Sequence, residues 1–253
     1  MPKHLKFLFL SLLDAFKENV GYHSASLTYQ FLAFIGSVFM FLGFASLYLP
    51  FLEPERVYEH LRNAIPLYAD LIIAKLLPLY EKKTFGSSLS LALSYYFSIS
   101  FAKSLNTAFG YIYRRKPVEG ELFFWTLMPL LLFLYTSVLS FTVTLFTLGR
   151  SLFGLSYHGL TELLNPFLLF LIVLMVYASY FRLRRKLLVA SLFTSLMLLL
   201  LNKLFSLLLA QLVSTSPLYG IMGTPLLFLV WLYYSFFCLL LGVCFLRRLD
   251  EPL

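Results

Sequence analysis

Charge is scarce in this chain. Asp, Glu, Lys and Arg make up 13% of its 253 residues and hydrophobic residues 60%, whereas a soluble domain needs roughly a quarter of its residues charged to cover its surface. That shortage excludes an ordinary soluble fold and implies an integral membrane protein. Cysteine is nearly absent: Cys238 and Cys244 both fall in the last apolar run without metal-ligand spacing, which argues against a disulfide framework or a zinc site and leaves them as packing residues. The histidines, His4, His23, His60 and His158, are isolated singles, so no H-E-x-x-H cluster can be drawn. P-loop and G-x-S-x-G signatures are missing, and none of the long apolar segments contains Asp or Glu. An enzyme is therefore not expected, and neither is a cofactor or a metal. No Gly/Ser/Pro-rich tract and no repeat separates two halves, so residues 1–253 read as a single membrane domain.

What the chain has is long apolar runs. Six can be drawn, 24–49, 86–109, 122–148, 166–181, 187–213 and 224–246, most of them long enough to cross a hydrocarbon core of about 30 Å. Ahead of them, Lys3 and Lys6 precede Phe7–Leu13 as in a secretory signal, but Asp14, Lys17 and Glu18 come next, where a small-residue cleavage site belongs. On a helical wheel Leu5, Leu8, Phe9, Leu12, Phe16 and Val20 share one arc, opposite Lys3, His4, Lys6, Ser11, Asp14, Lys17 and Glu18. Residues 1–23 thus read as an amphipathic helix lying in the interface. Asn165 before Pro166 and Thr224 before Pro225 fit a polar cap with proline in the first helical turn, and Pro129 predicts a kink in the third run. In the connection 50–85, Val57, Leu61, Ala64, Tyr68, Leu71 and Ile72 recur at helical spacing, which predicts short extracytoplasmic capping helices. The fold class is all-α: a bundle of six transmembrane helices with an interfacial N-terminal helix and extracytoplasmic caps.

The formal net charge is +8, and its cations gather where apolar runs end. That pattern fits positive-inside flanks and anionic lipid better than nucleic acid. Lys and Arg concentrate at the N-terminus, the second and fourth connections and the C-terminus, which predicts cytoplasmic termini. The first connection also carries cations, offset by Glu53, Glu55, Glu59, Asp70 and Glu81. Two basic clusters, Arg114, Arg115 and Lys116 with Arg182, Arg184, Arg185 and Lys186, are candidates for contact with lipid head groups.

Lys203 stands alone within the otherwise uncharged run 187–213. A cation near mid-bilayer costs on the order of 3 kcal/mol on insertion scales, which makes it a candidate functional residue, the plainer reading being a side chain that snorkels. Asn202 faces elsewhere and reads as an interhelical hydrogen-bond partner. Ser87, Ser90, Ser94, Ser98 and Ser104 share one face of the second run, with Lys103 and Asn106 further round. Close helix packing explains that face, and a polar groove is the sharper alternative. Tyr29 and Gln30 sit early in the first run, as an interfacial anchor and a side chain needing a buried partner.

Several of these positions together carry a family resemblance. Ser26, Leu27 and Tyr29, then Leu105-Asn106-Thr107, Trp125 with Pro129, Lys203 with Phe205, Tyr219-Gly220, Pro225, the Leu-Val-Trp-Leu-Tyr run ending at Tyr233, and Leu240-Leu241-Gly242 occur in order. The chain from Ser24 to Arg248 resembles the YihY/BrkB family of six-span bacterial inner-membrane proteins, historically labelled ribonuclease BN. It departs from the family in having Ser37 where proline is usual, and Val243 and Cys244 where an acidic residue often succeeds the glycine. The resemblance implies an inner-membrane location and an envelope-related transport role with lipids as cargo. The ribonuclease label has no support in the residues, which offer no metal cluster and no basic surface with aromatic stacking. Joined to the residue reading, this predicts a transporter or flippase of an anionic amphiphile, with Lys203, Asn106, Tyr219, Gly220, Tyr29 and Lys103 lining a bundle cavity. Its rival is a non-transporting scaffold that docks envelope-assembly proteins through the capping helices.

Overall fold

The computed structural model describes residues 3–48, 80–115, 157–215 and 217–251, with Glu59, Ala74, Leu77 and Pro78 as isolated positions between them. Six helices occupy these stretches: α1 (Lys3–Lys17), α2 (Val20–Ser46), α3 (Lys83–Tyr113), α4 (Tyr157–Tyr180), α5 (Arg185–Thr215) and α6 (Pro217–Asp250). Among the described residues there is no strand. Three helical stretches are long and apolar enough to cross a membrane, Val20–Phe44, Arg185–Leu212 and Gly223–Asp250, and Pro166–Tyr180 is a shorter apolar one. The expected run 86–109 is helical as part of α3. The run 122–148, with Trp125 and Pro129, and nearly all of the expected capping region 50–85 lie outside the described residues.

Helix boundaries correct two expectations. Helix α4 begins at Tyr157 and α6 at Pro217, so Pro166 and Pro225 both sit inside helices rather than in first turns. Asn165 and Thr224 are therefore not caps. A proline within a membrane helix costs a backbone hydrogen bond that neighbouring helices make up for, whereas Pro217 occupies the first helical position where that loss is free. The first apolar helix also starts at Val20, ahead of the expected Ser24, because the break from α1 falls at Asn19, whose φ of 48° is left-handed. Asparagine tolerates that region better than most residues.

The chain divides into two compact units, one of 1–28 with 102–253 and one of 29–101. In the first, α5 packs on α6, α4 on α5, and α1 on α6. Its core holds Tyr177, Phe109, Leu27, Ile112, Leu187 and Leu240. Phe109 meets Tyr180 edge-on, with ring centroids 5.1 Å apart. A fully buried phenol needs a polar partner, and the Tyr177 hydroxyl donates to the Leu239 carbonyl at 2.6 Å and lies 2.9 Å from Thr194 Oγ1. Gly242 makes room for this contact, since a Cβ there would fall on both oxygens. The buried hydroxyls of Ser191, Thr194 and Ser195 each donate to the carbonyl four residues earlier, so α5 presents a polar-looking stripe that packs as a small-residue face.

In the second unit the Tyr48 hydroxyl donates to Thr84 Oγ1 at 3.0 Å, and the Phe44 ring occupies the space that a side chain at Gly86 would need. Ser90, Ser94 and Ser98 are buried, with hydroxyls turned onto carbonyls of their own helix. That is the packing reading of the serine face.

Over its described side chains, residues 10–17, helix α1 turns much of its polar arc inward, with Lys17 exposed. Ser11 and Asp14 are buried, while Leu12, Leu13 and Phe16 are exposed, Phe16 at 75%. A helix whose apolar side looks out and whose charged side grips the protein suits an interface with lipid rather than with water.

Candidate functional site

Apart from Lys103 and Lys203, the charged residues of α3, α4, α5 and α6 lie at or near the helix ends, where water or head groups solvate them. In the first unit this gathers the end of α3, the turn after α4, the start of α5 and the end of α6 around a pocket of about 210 Å³. Arg115, Arg182, Arg184 and Lys186 supply its basic wall. Phe181, Leu187 and Leu246 supply its apolar wall, with Tyr113 and Asp250 completing it. Two clusters far apart in sequence thus contribute to a single site, Arg115 being tied to the end of α4 by a bond to the Tyr180 carbonyl at 3.5 Å across a separation of 65. Asp250 is engaged on both oxygens: Lys186 Nζ lies 3.0 Å from Oδ1, and the Tyr113 hydroxyl donates to Oδ2 at 2.5 Å.

Beside the pocket lies a second ionic group, whose acidic members the sequence placed only on the polar arc of α1. Arg247 is buried, and its guanidinium reaches Asp14 at 3.1 Å, Glu18 at 2.8 Å and the Ile112 carbonyl at 2.6 Å. Arg248 forks onto both oxygens of Asp14, with Nη2 at 2.6 Å from Oδ1, the bidentate geometry that makes such pairs strong. Burial pushes the Asp14 carboxyl up, but the bonds and charges of Arg248 and Arg247 outweigh it and hold the group below its ordinary value. Glu18 behaves alike, burial being outweighed by Arg247 and Arg114. The available signal was the i, i+4 spacing of Asp14 and Glu18 opposite an Arg-Arg pair closing the last apolar run.

The expected head-group residues therefore separate. Arg115, Arg182, Arg184 and Lys186 share the pocket. Arg114 instead pairs with Glu18 at 3.0 Å, Arg185 is exposed at the start of α5, and Lys116 lies outside the described residues.

Of the expected cavity residues, the side chains of Lys203, Asn106, Lys103 and Tyr29 are described. Lys203 is exposed, in a stretch where Leu200, Leu204 and Leu207 are also exposed. Its long uncharged flanks set its depth along α5 but not the face it takes. Asn106 is buried in α3, Lys103 is half-buried, and Tyr29 is 76% exposed. The side chains of Tyr219 and Gly220 lie outside the described ones. The groove that does open along α5 and α6, of about 540 Å³, has Asn202 on its lining with Phe205, Ser206, Phe228 and Trp231. Asn202 Oδ1 accepts a hydrogen bond from the Trp231 indole at 2.8 Å, joining the two helices as its position next to Lys203 suggested. Among the described residues no group of three or more His, Cys, Asp or Glu side chains is placed to hold a metal.

Long apolar helices, with charge sparse along them and gathered mostly near their ends, define a membrane protein that is helical throughout its described residues. The family model for Virulence factor BrkB matches residues 14–251, and the chain belongs to that family. No curated protein and no solved structure matches it.

Proposed function

We propose that the chain is a six-span inner-membrane protein, with both termini cytoplasmic and short extracytoplasmic helices in 50–85, that moves an anionic amphiphile between leaflets during envelope biogenesis. The observation that carries this reading is the pocket in which Arg115, Arg182, Arg184 and Lys186 face an apolar wall of Phe181, Leu187 and Leu246. Such a site offers cations to a head group and hydrocarbon contact to the acyl chains bonded to that head group. Lys203, exposed about 25 Å further along α5 at a rise of 1.5 Å per residue, supplies a second cation at mid-membrane depth. Its exposed setting favours passage along the outer face of α5, beside the groove of Asn202 and Trp231, over passage through a sealed cavity. The chemistry is binding and displacement, with no catalytic step and no cofactor.

The test is reconstitution of the full chain in liposomes containing a fluorescent head-labelled anionic lipid, with chemical bleaching of the outer leaflet. Bleaching of the inner-leaflet label faster than in protein-free vesicles, and slower in Arg184→Gln/Lys186→Gln, is expected. A rate equal to protein-free vesicles overturns the reading. A scaffold that docks envelope-assembly proteins is the second reading, favoured by one observation: Lys203 is exposed rather than enclosed.

A further inference from the structure

The basic pocket carries more positive charge than an ordinary phospholipid can neutralise. Four cations, Arg115, Arg182, Arg184 and Lys186, face one carboxylate, Asp250. Among the described residues neither Arg182 nor Arg184 has an acidic partner within ion-pair distance, while Lys186 is held by Asp250 at 3.0 Å. The pocket also adjoins the first turn of α5, a helix of 31 residues, whose N-terminal end adds partial positive charge aimed at an anion. A phosphodiester head group brings one negative charge to this site. A phosphomonoester brings between about one and a half and two near neutrality, and three acceptor oxygens instead of two.

We infer that the pocket is a binding site for a phosphomonoester dianion, and that Asp250 stands in for one of its oxygens, holding Lys186 and the Tyr113 hydroxyl until the phosphate displaces it. This rests on the proposed lipid-handling role and narrows its cargo. A lipid source is favoured by apolar residues next in sequence to the pocket's cations: Leu183, Leu188, Val189 and Leu192 are all exposed on and just before the first turns of α5, where acyl chains would make contact. A free sugar or glycerol phosphate offers the same anion without that contact.

The experiment uses the purified full chain in a non-ionic detergent, titrated with short-chain phosphatidate, short-chain phosphatidylglycerol and glycerol 3-phosphate. Phosphatidate binds about ten-fold more tightly than phosphatidylglycerol, roughly what one further charge gives at a half-exposed site after solvent screening. The preference collapses in Arg184→Gln and in Lys186→Gln, and Asp250→Asn tightens phosphatidate by removing the competing anion. Equal affinities for the two lipids, or a preference that survives both Arg184→Gln and Lys186→Gln, overturn the inference. Displacement of phosphatidate by glycerol 3-phosphate supports the dianion site with a soluble phosphate as a sufficient ligand, and failure to displace it supports the site with the lipid as source. Equal affinities with accelerated lipid movement overturn this inference alone, whereas a phosphatidate preference with protein-free rates overturns the transport reading alone.

Discussion

Asp14 of α1 and Arg247 of α6 form an ion pair at 3.1 Å in which the side chains are 6% and 4% exposed. The pair lets a helix with an outward apolar face stay attached to the bundle, because the attachment is made by charge rather than by hydrocarbon. Removing Asp14 leaves the buried Arg247 with Glu18 as its remaining carboxylate and strips Arg248 of its bidentate partner, at a cost of up to roughly 3–5 kcal/mol. Asp14→Asn should therefore lower the thermal midpoint of the purified protein markedly. Asp14→Leu combined with Arg247→Met should lower it by less than the two single losses added, because either single change already breaks the contact the pair shares. A double-variant loss equal to the sum of the two single losses would show that the pair is not coupled.

The same group sets an acid limit. Asp14 and Glu18 are both held below their ordinary values of 3.8 and 4.5. A carboxyl depressed in the folded state contributes stability that is fully present above its unfolded value and is lost as pH falls through the folded one. The hold of α1 on α6 should thus be constant above about pH 5 and weaken progressively below about pH 4.5. Proteolysis within 1–19, monitored against pH with an acid-stable protease, reads this directly. In Asp14→Asn the acid sensitivity should shrink, with Glu18 left to titrate.

Gly242 and Tyr177 make a second coupled pair. A methyl group at 242 meets the Tyr177 hydroxyl and Thr194 Oγ1, so Gly242→Ala overpacks a tight crossing and should cost about 1–3 kcal/mol. Tyr177→Phe removes a buried donor from the Leu239 carbonyl and should cost about 1 kcal/mol. In the double variant one of the two clashing oxygens is gone while Thr194 Oγ1, the nearer, stays, so its loss should fall only partly short of the sum, as measured by denaturation in detergent.

These pairs mark where sequence reasoning reached and where it stopped. Helices α2, α5 and α6 were legible because an apolar run longer than a bilayer has few other structures open to it. Asn202 was legible as a bridge, and the hydrogen bond from Trp231 bears that out. The caps at Asn165 and Thr224 were misread because both helices begin well ahead of their prolines, which single-residue signals do not reveal. The face that Lys203 takes was not legible, because a wheel without an amphipathic stripe does not say which side meets the core. The pocket itself was half-visible: its cations were named from charge clustering, but their convergence depends on α4, α5 and α6 having ends at one level, and Asp250 and Tyr113 had no local signature at all.

Asn202, Trp231 and Lys203 allow the outer-face path to be separated from mere packing. Trp231→Phe keeps the ring in the groove and removes one interhelical hydrogen bond, which in membrane proteins averages about 0.6 kcal/mol. The expected fall in stability is therefore small. Lys203→Met removes a cation from among exposed leucines without touching a described contact, so it should leave the thermal midpoint unchanged or raise it while slowing movement of an anionic lipid in liposomes. Lys203→Arg, which keeps the charge at the same depth, should retain most of the rate. If Lys203→Met slowed neither an anionic lipid nor a zwitterionic one, Lys203 would be only a snorkelling side chain. A cation on the path should slow the anionic lipid more when it is removed, because only that head group exchanges one favourable charge contact for another on its way past α5.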